Sequence, residues 1–365
     1  MLIKSKRKTI YPNKTLFMDY RDYFDNIYSP EMLEPTRTSM VQALKEQLIP
    51  YIENNESITR QEISNLEIAP TVYSEDYLSI KACQDGVSVC IKKPSSAQTF
   101  TTRPIEYRIL NTTGGIKTNW TDLVWDTYDK TGTSATNENY GKLITPATVL
   151  SITSGEVIQY RNKTVQKMGQ FNAGTSWYSR FYITGLVESY GNVMSLCDKS
   201  CLQSVATDYT FINLFYGCTG LTTPPELPAT VACQACYQSM FYGCTNLKYC
   251  PELPARNVTY YSYNSMFRGC TTISATSKIM AVNGDNGNIN TYTCQNMFYG
   301  CTKLKEIYIN FYHVRPAKDT TGWVTSVPTA TTWGGKFHKR AECTTTTTGA
   351  TWIPKNWTVI NDMVD

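Results

Sequence analysis

Thirteen cysteines, two histidines and an unusually large set of 26 tyrosines are the residues of this chain that could do chemistry. Cys233-x-x-Cys236 has the spacing of half a zinc knuckle or of a redox pair. A structural zinc needs four ligands, and the nearest second pair, Cys197-x-x-x-Cys201, stands about 32 residues away without the matching spacing. Packing of small apolar thiols is therefore the favoured reading, with no metal site. His313 and His338 lie in no Ser, Cys or zinc motif, and His338 sits among Lys336, Lys339 and Arg340, which reads as a solvated basic turn. Asp285-Asn286-Gly287-Asn288 resembles the start of a calcium loop, but the twelfth position is Asn296 rather than Glu, so a polar turn is expected. Acidic residues are numerous, yet no pair is recognisable as the two carboxylates of a glycosidase. No catalytic residue, cofactor or enzymatic activity is expected.

The tyrosines point elsewhere. Tyrosine combines an apolar face with a polar tip and is favoured at interfaces. Tyr260, Tyr261 and Tyr263, together with Tyr216, Tyr242 and Tyr299, suggest a tyrosine-rich surface. Packing of some of these rings between repeats is the competing reading.

The elements that position them form an internal repeat over residues 196–310. Four copies read Phe215-Tyr216-Gly217-Cys218, Phe241-Tyr242-Gly243-Cys244, Phe267-Arg268-Gly269-Cys270 and Phe298-Tyr299-Gly300-Cys301. The first three are 26 residues apart, and the fourth follows after 31 because Asn283–Gly287 is inserted. Leu221, Leu247, Ile273 and Leu304 recur three residues after each Cys. A unit of this size closes a core only by stacking on its neighbours. Phe, Cys and the later Leu or Ile are expected to point inward as columns. The Gly permits a turn or a close approach. Tyr216, Tyr242, Arg268 and Tyr299 are expected to point outward, and with Tyr260 and Tyr261 they are the candidate ligand-contacting residues. Residues 311–365 carry Trp323, Trp333, Trp352 and Trp357 and are expected to cap the exposed end of the array.

Upstream, residues 71–195 read as short strands separated by turns. Tyr77–Lys81 and Val87–Ile91 alternate around Asp85-Gly86, a hairpin signal. Further strands are expected at 105–110, 148–152, 156–160 and 179–187. The spacing suggests a β-sandwich of immunoglobulin-like type. Residues 1–70 contain two short amphipathic helices, over Thr38–Ile49 and from a capping box at Thr59 and Glu62. They are too small for a full core and read as an anchor that needs a partner. The basic run Lys4, Lys6, Arg7 and Lys8 is followed by no apolar stretch. No signal peptide or membrane segment is expected, so the protein should stay where it is made or leave inside a particle. A net charge of +4 does not call for nucleic acid. The fold class is thus mainly β with minor α: helical anchor, sandwich, solenoid and cap.

The repeat Met/Leu-Phe-Tyr-Gly-Cys-Thr-x-Leu resembles the BspA-like leucine-rich repeat of surface and phage proteins from gut Bacteroidales. Pro-Glu-Leu-Pro-Ala at 225–229 and 251–255 resembles the form met in phage structural and tail-like proteins. So do Gly191-Asn192-Val193-Met194-Ser195-Leu196 and the closing segment through Ile353-Pro354 and Trp357–Ile360. The third copy departs, with Arg268 for Tyr and Ser274-Ala275-Thr276 in place of Pro-Glu-Leu, so irregularity is expected there. The resemblance implies a virion protein, as a capsid or head fibre, decoration protein or tail appendage, with a crAss-like gut phage as a fitting source. It implies attachment to other virion proteins through residues 1–70, a homo-oligomer, and adhesion to a host-surface glycan or protein. A bacterial surface adhesin and a polysaccharide-degrading tail enzyme are the alternative readings.

Overall fold

The computed structural model describes residues 76–92, 104–128, 143–164, 179–198, 201, 205–281, 289, 291–329 and 335–364. The expected helices and the rest of segment 1–70, the turn from Asp285 and Trp333 lie outside the described residues. From Tyr77 onward the chain is one compact unit, and the described residues are mainly β.

Ten strands come first: β1 Leu78–Ala82, β2 Val87–Lys92, β3 Ile105–Leu110, β4 Ile116–Asp122, β5 Thr127–Tyr128, β6 Leu143–Thr145, β7 Val149–Ile152, β8 Val157–Asn162, β9 Arg180–Thr184 and β10 Val187–Tyr190. One antiparallel sheet runs β10-β1-β8-β3-β4 and a second runs β7-β2-β9, while β5 and β6 pair by themselves. The hairpin expected at Asp85-Gly86 is not formed. β1 bonds β8 and β10, whereas β2 bonds β7 and β9. The turn instead carries the chain from one sheet to the other. Ser154-Gly155 and Gly185-Leu186 do the same. Gly86, Gly155 and Gly185 have φ of 72°, 84° and 84°, a region open to glycine at little cost. The reason lies in burial. A half-exposed hairpin buries every second residue, but β1 and β2 bury most residues on both faces, so each is the central strand of its own sheet. Tyr160 on β8 and Phe181 on β9 meet across the sheets at 5.3 Å between ring centroids.

The segment Gly191–Leu196 plugs this module. Val193–Leu196 is a fully buried 3-10 turn. The Asn192 side chain accepts from the Met194 N–H at 2.8 Å. Ser195 Oγ accepts from the Leu78 N–H at 3.0 Å and donates to the Tyr160 carbonyl at 2.9 Å, tying β1 to β8.

The remaining strands are β11 Val205–Ala206, β12 Leu221–Thr223, β13 Val231–Ala232, β14 Asn257–Val258, β15 Ala275–Ile279, β16 Glu306–Ile309, β17 Lys336–His338 and β18 Thr358–Ile360. All their pairings are parallel, in the orders β11-β13-β14 and β15-β16-β17-β18. This is a β-solenoid, and it starts directly on the first module: β12 pairs in parallel with β10. The two Pro-Glu-Leu-Pro segments form no long strand, because proline has no N–H for a ladder. Where the third copy lacks them, the five-residue β15 forms and opens the four-stranded sheet. That sheet runs on through residue 311 to β18 without a break.

Each coil turns through a ribbon of tight corners. Every fourth residue has left-handed φ: Tyr209, Asn213, Gly217; Ala235, Ser239, Gly243; Tyr261, Ser265, Gly269; Tyr292, Asn296, Gly300, with values between 52° and 77°. Only the last corner of each coil is glycine. The others carry a Cβ that disfavours this region by roughly 1 kcal/mol or more. Bonds between coils offset the cost: the N–H groups of Phe215, Phe241 and Phe267 donate to the carbonyls of Met240, Met266 and Met297 at 2.8, 2.9 and 3.0 Å.

Inside, the twelve expected core residues Phe215, Cys218, Leu221, Phe241, Cys244, Leu247, Phe267, Cys270, Ile273, Phe298, Cys301 and Leu304 are all buried. The phenylalanines stack nearly parallel, with centroid spacings of 5.7, 5.5 and 5.6 Å. The column extends past the repeat at both ends. Phe181 of β9 stacks on Phe215 at 4.9 Å, and Trp323 closes the other end against Phe298 at 5.9 Å. Trp352 then stacks on Trp323 at 5.4 Å. A second column runs Phe211–Tyr237–Tyr263. Tyr263 is therefore core, not part of the surface the sequence suggested.

Candidate functional site

The outward position beside each buried Phe builds a continuous ladder. Tyr216 and Tyr242 stack at 4.6 Å. The Arg268 guanidinium lies 5.6 Å from the Tyr242 ring centre and 4.3 Å from that of Tyr299. At the other end the Arg180 guanidinium lies 5.3 Å from Tyr216 and 4.7 Å from Tyr182, whose hydroxyl accepts from Arg180 Nε at 2.9 Å. The substitution of Arg268 for Tyr is thus no irregularity of the ladder. A cation between two rings replaces a ring between two rings, and the attraction of a cation to a π face supports it. Tyr216, Tyr242, Arg268 and Tyr299 are all half-buried. The faces of Tyr216 and Tyr242 are covered, so a ligand meets ring edges, hydroxyls and guanidinium edges.

Tyr260 and Tyr261 are not rungs of this ladder. Tyr260 is 52% exposed, and Tyr261 stacks on Tyr292 at 5.3 Å. Arg180 and Tyr182 were missed from sequence because they lie upstream of the repeat. The available signal was the dipeptide Phe181-Tyr182, which echoes Phe215-Tyr216.

The cysteine column has a bonding role. Cys218, Cys244, Cys270 and Cys301 donate their thiols to the carbonyls of Phe181, Phe215, Phe241 and Phe267 at 3.4, 3.1, 3.0 and 3.1 Å. Each thiol therefore reaches the aromatic residue one coil earlier. Burial pushes the Cys218 and Cys301 thiols up to about 12, and raises Cys244 and Cys270 as well. Cys236 is fully buried at a position held by Thr210, Ser262 and Thr293 in the other coils, and burial raises its pKa well above the usual thiol range. A protonated thiol is a poor nucleophile and metal ligand. All thirteen cysteines are free of disulfides, and among the described residues no group of three or more His, Cys, Asp or Glu is placed to hold a metal ion.

The basic stretch at His338 differs from its sequence reading. His338, Lys339 and Arg340 are 7%, 5% and 6% exposed, so this is no solvated turn. His338 Nδ1 lies 2.8 Å from the Asp362 carboxylate, and its ring stacks on Tyr308 at 4.1 Å. Tyr308 donates to Glu306 at 2.9 Å, a bond that lowers the pKa of that carboxyl. The cluster links β16 and β17 to the chain after β18. His338 Nε2 is buried without a hydrogen-bond partner among the described residues. His313 is exposed. No helix among the described residues is long and apolar enough to cross a membrane.

No family model, curated protein or solved structure matches this chain.

Proposed function

We propose that this chain is a structural protein of a bacteriophage particle, a capsid or head fibre, a decoration protein or a tail appendage. In this reading residues 1–70 attach it to other virion proteins. The two-sheet module is a spacer of immunoglobulin type, and the solenoid is an array of BspA-like leucine-rich repeats presented to a host-surface glycan or protein. It works in several copies, without a cofactor and without catalysing a reaction. One observation carries the reading: a single aromatic column, begun at Phe181 on Phe215, joins the two-sheet module and the array into one compact unit with side chains repeated along its outside. Repeated weak contacts suit a multivalent adhesin, because linked copies raise avidity by about 10²–10⁴ without new contacts.

Mass spectrometry and immunogold microscopy of purified virions test the assignment. The expected result is detection of the chain in particles, and its loss from them when residues 1–70 are deleted while the rest still unfolds cooperatively. Full incorporation of the truncated chain would remove the anchor. Absence of the intact chain from particles would remove the virion role.

A further inference from the structure

The ladder holds two guanidinium groups packed against rings, each with N–H donors that no acidic side chain takes. Arg268 lies between Tyr242 and Tyr299, and among the described residues its side chain forms neither ion pair nor hydrogen bond. Arg180 spends one N–H on the Tyr182 hydroxyl and likewise has no ion pair there. A guanidinium clamped by rings on its faces keeps its forked N–H donors in a fixed plane, the geometry that binds carboxylate or sulfate in a bidentate way.

Neither guanidinium has an acidic partner among the described residues. The described acidic side chains between Arg180 and Tyr299 are Glu188, which pairs with Lys81, Asp198, Asp208, which accepts from the Gln234 N–H, and Glu226 and Glu252 of the Pro-Glu-Leu-Pro segments. The coils also carry Lys248, Arg256, Lys278, Lys303 and Lys305. Lys248, Lys303 and Lys305 are exposed in the turns that follow the Gly-Cys corners. The faces of Tyr216 and Tyr242 are covered on both sides, so neither offers the platform for stacking a base that single-stranded nucleic acid binders use. Their hydroxyl edges suit a polyol.

We propose that the ladder from Arg180 to Tyr299 is a binding strip for an acidic linear polysaccharide lying along the solenoid axis. Arg180 and Arg268 take its carboxylates or sulfates, and the hydroxyls of Tyr216, Tyr242 and Tyr299 take its hydroxyl groups. This assignment rests on the adhesive reading above and gives it a ligand class. Electrostatic contact at a half-exposed strip weakens as salt screens it.

The test uses the full chain against immobilised polyuronate, dextran sulfate, neutral dextran and an oligodeoxythymidylate, at low and high salt. Binding to the two acidic polymers, lost at high salt and absent with neutral dextran, is expected. R268Q and R180Q should each weaken it by about tenfold. R268K keeps a cation between the rings and protects the fold, so its thermal midpoint should hold while its lost fork still weakens binding. Parent-like binding by R268K and R268Q, or binding of the oligonucleotide without the polyuronate, would overturn the proposal. Adsorption of particles to host cells separates the two claims. Polyuronate binding that R268Q weakens, without adsorption by parent particles, keeps the strip and removes the adhesive role. Adsorption by parent particles with no polyuronate binding removes the strip and keeps the role.

Discussion

The thiol of Cys244 donates to the carbonyl oxygen of Phe215, one coil earlier, at 3.1 Å. The same bond recurs at Cys218, Cys270 and Cys301. Cysteine suits this place because it is small and apolar yet still has a donor. The Phe215 carbonyl also accepts from the Cys218 N–H, so the thiol supplies its second bond. Cys244→Ala should therefore destabilise the protein by about 1–2 kcal/mol, from lost volume and the lost donor. Equilibrium urea unfolding measures this. An unchanged midpoint would mean that neither the donor nor the volume of the sulfur matters there.

Phe241 is held between Phe215 and Phe267 and has no exposed surface. Phe241→Ala should cost about 3–5 kcal/mol, and Phe241→Leu about 1.5 kcal/mol or less if the column repacks. Comparable losses from both would show that ring stacking, rather than volume, holds the column.

The buried thiols make stability depend on alkaline pH. A group with a folded pKa above its unfolded value keeps its proton longer in the folded chain. Its contribution is complete below the ordinary value of 9.0 and is lost as pH rises toward about 12 for Cys218 and Cys301. The urea midpoint should hold up to about pH 8 and fall steadily above pH 9. A flat profile to pH 11 would contradict the burial-driven shift.

Reactivity gives an independent reading. Cys83 is exposed, Cys201 and Cys233 are partly exposed, and the other ten cysteines are buried. Iodoacetamide at neutral pH should label Cys83 first and leave the ten untouched until the protein is denatured, when all thirteen react. Early labelling of Cys244 or Cys270, seen by peptide mapping, would show that the coils open.

Ser239 is a corner with φ of 53°. Ser239→Gly should stabilise by a few tenths of a kcal/mol, the relief of the Cβ clash being partly offset by the freer unfolded chain. Ser239→Val should destabilise by about 2 kcal/mol, because a branched side chain fits this region worst. Equal effects of the two would contradict the corner geometry.

Much of the solenoid was legible because its period is long and its key residues are chemically distinctive. Phe, Cys and Leu at a 26-residue spacing can only meet by stacking. The ribbon of left-handed corners was not legible, since Ala235, Ser239 and Tyr261 carry no local mark of that conformation. Five strands of the first module, β1, β2, β3, β7 and β8, were read at nearly the right residues, whereas β4, β5 and β6 were not anticipated and 179–187 was read as one strand although β9 and β10 belong to different sheets. A turn such as Asp85-Gly86 or Gly185-Leu186 looks the same whether it joins two paired strands or crosses between sheets. His338 misled for a related reason: basic neighbours suggest solvent, whereas Tyr308, 30 residues earlier, covers its ring and Asp362, 24 residues later, pairs with it. Of the ladder, the repeat exposed Tyr216, Tyr242, Arg268 and Tyr299, but not that Arg268 is seated between rings, nor that Arg180 joins them.

The parallel pairing of β12 with β10 places the first coil in the growing direction of every later one. Removing or duplicating one 26-residue copy between Phe215 and Phe267 would preserve the aromatic column, the thiol bonds and the left-handed corners on either side. Each such step changes the length by about 4.8 Å, the spacing of paired strands. The array therefore behaves as a ruler with a fixed graduation. Recombination between copies can set how far it reaches without redesigning either end.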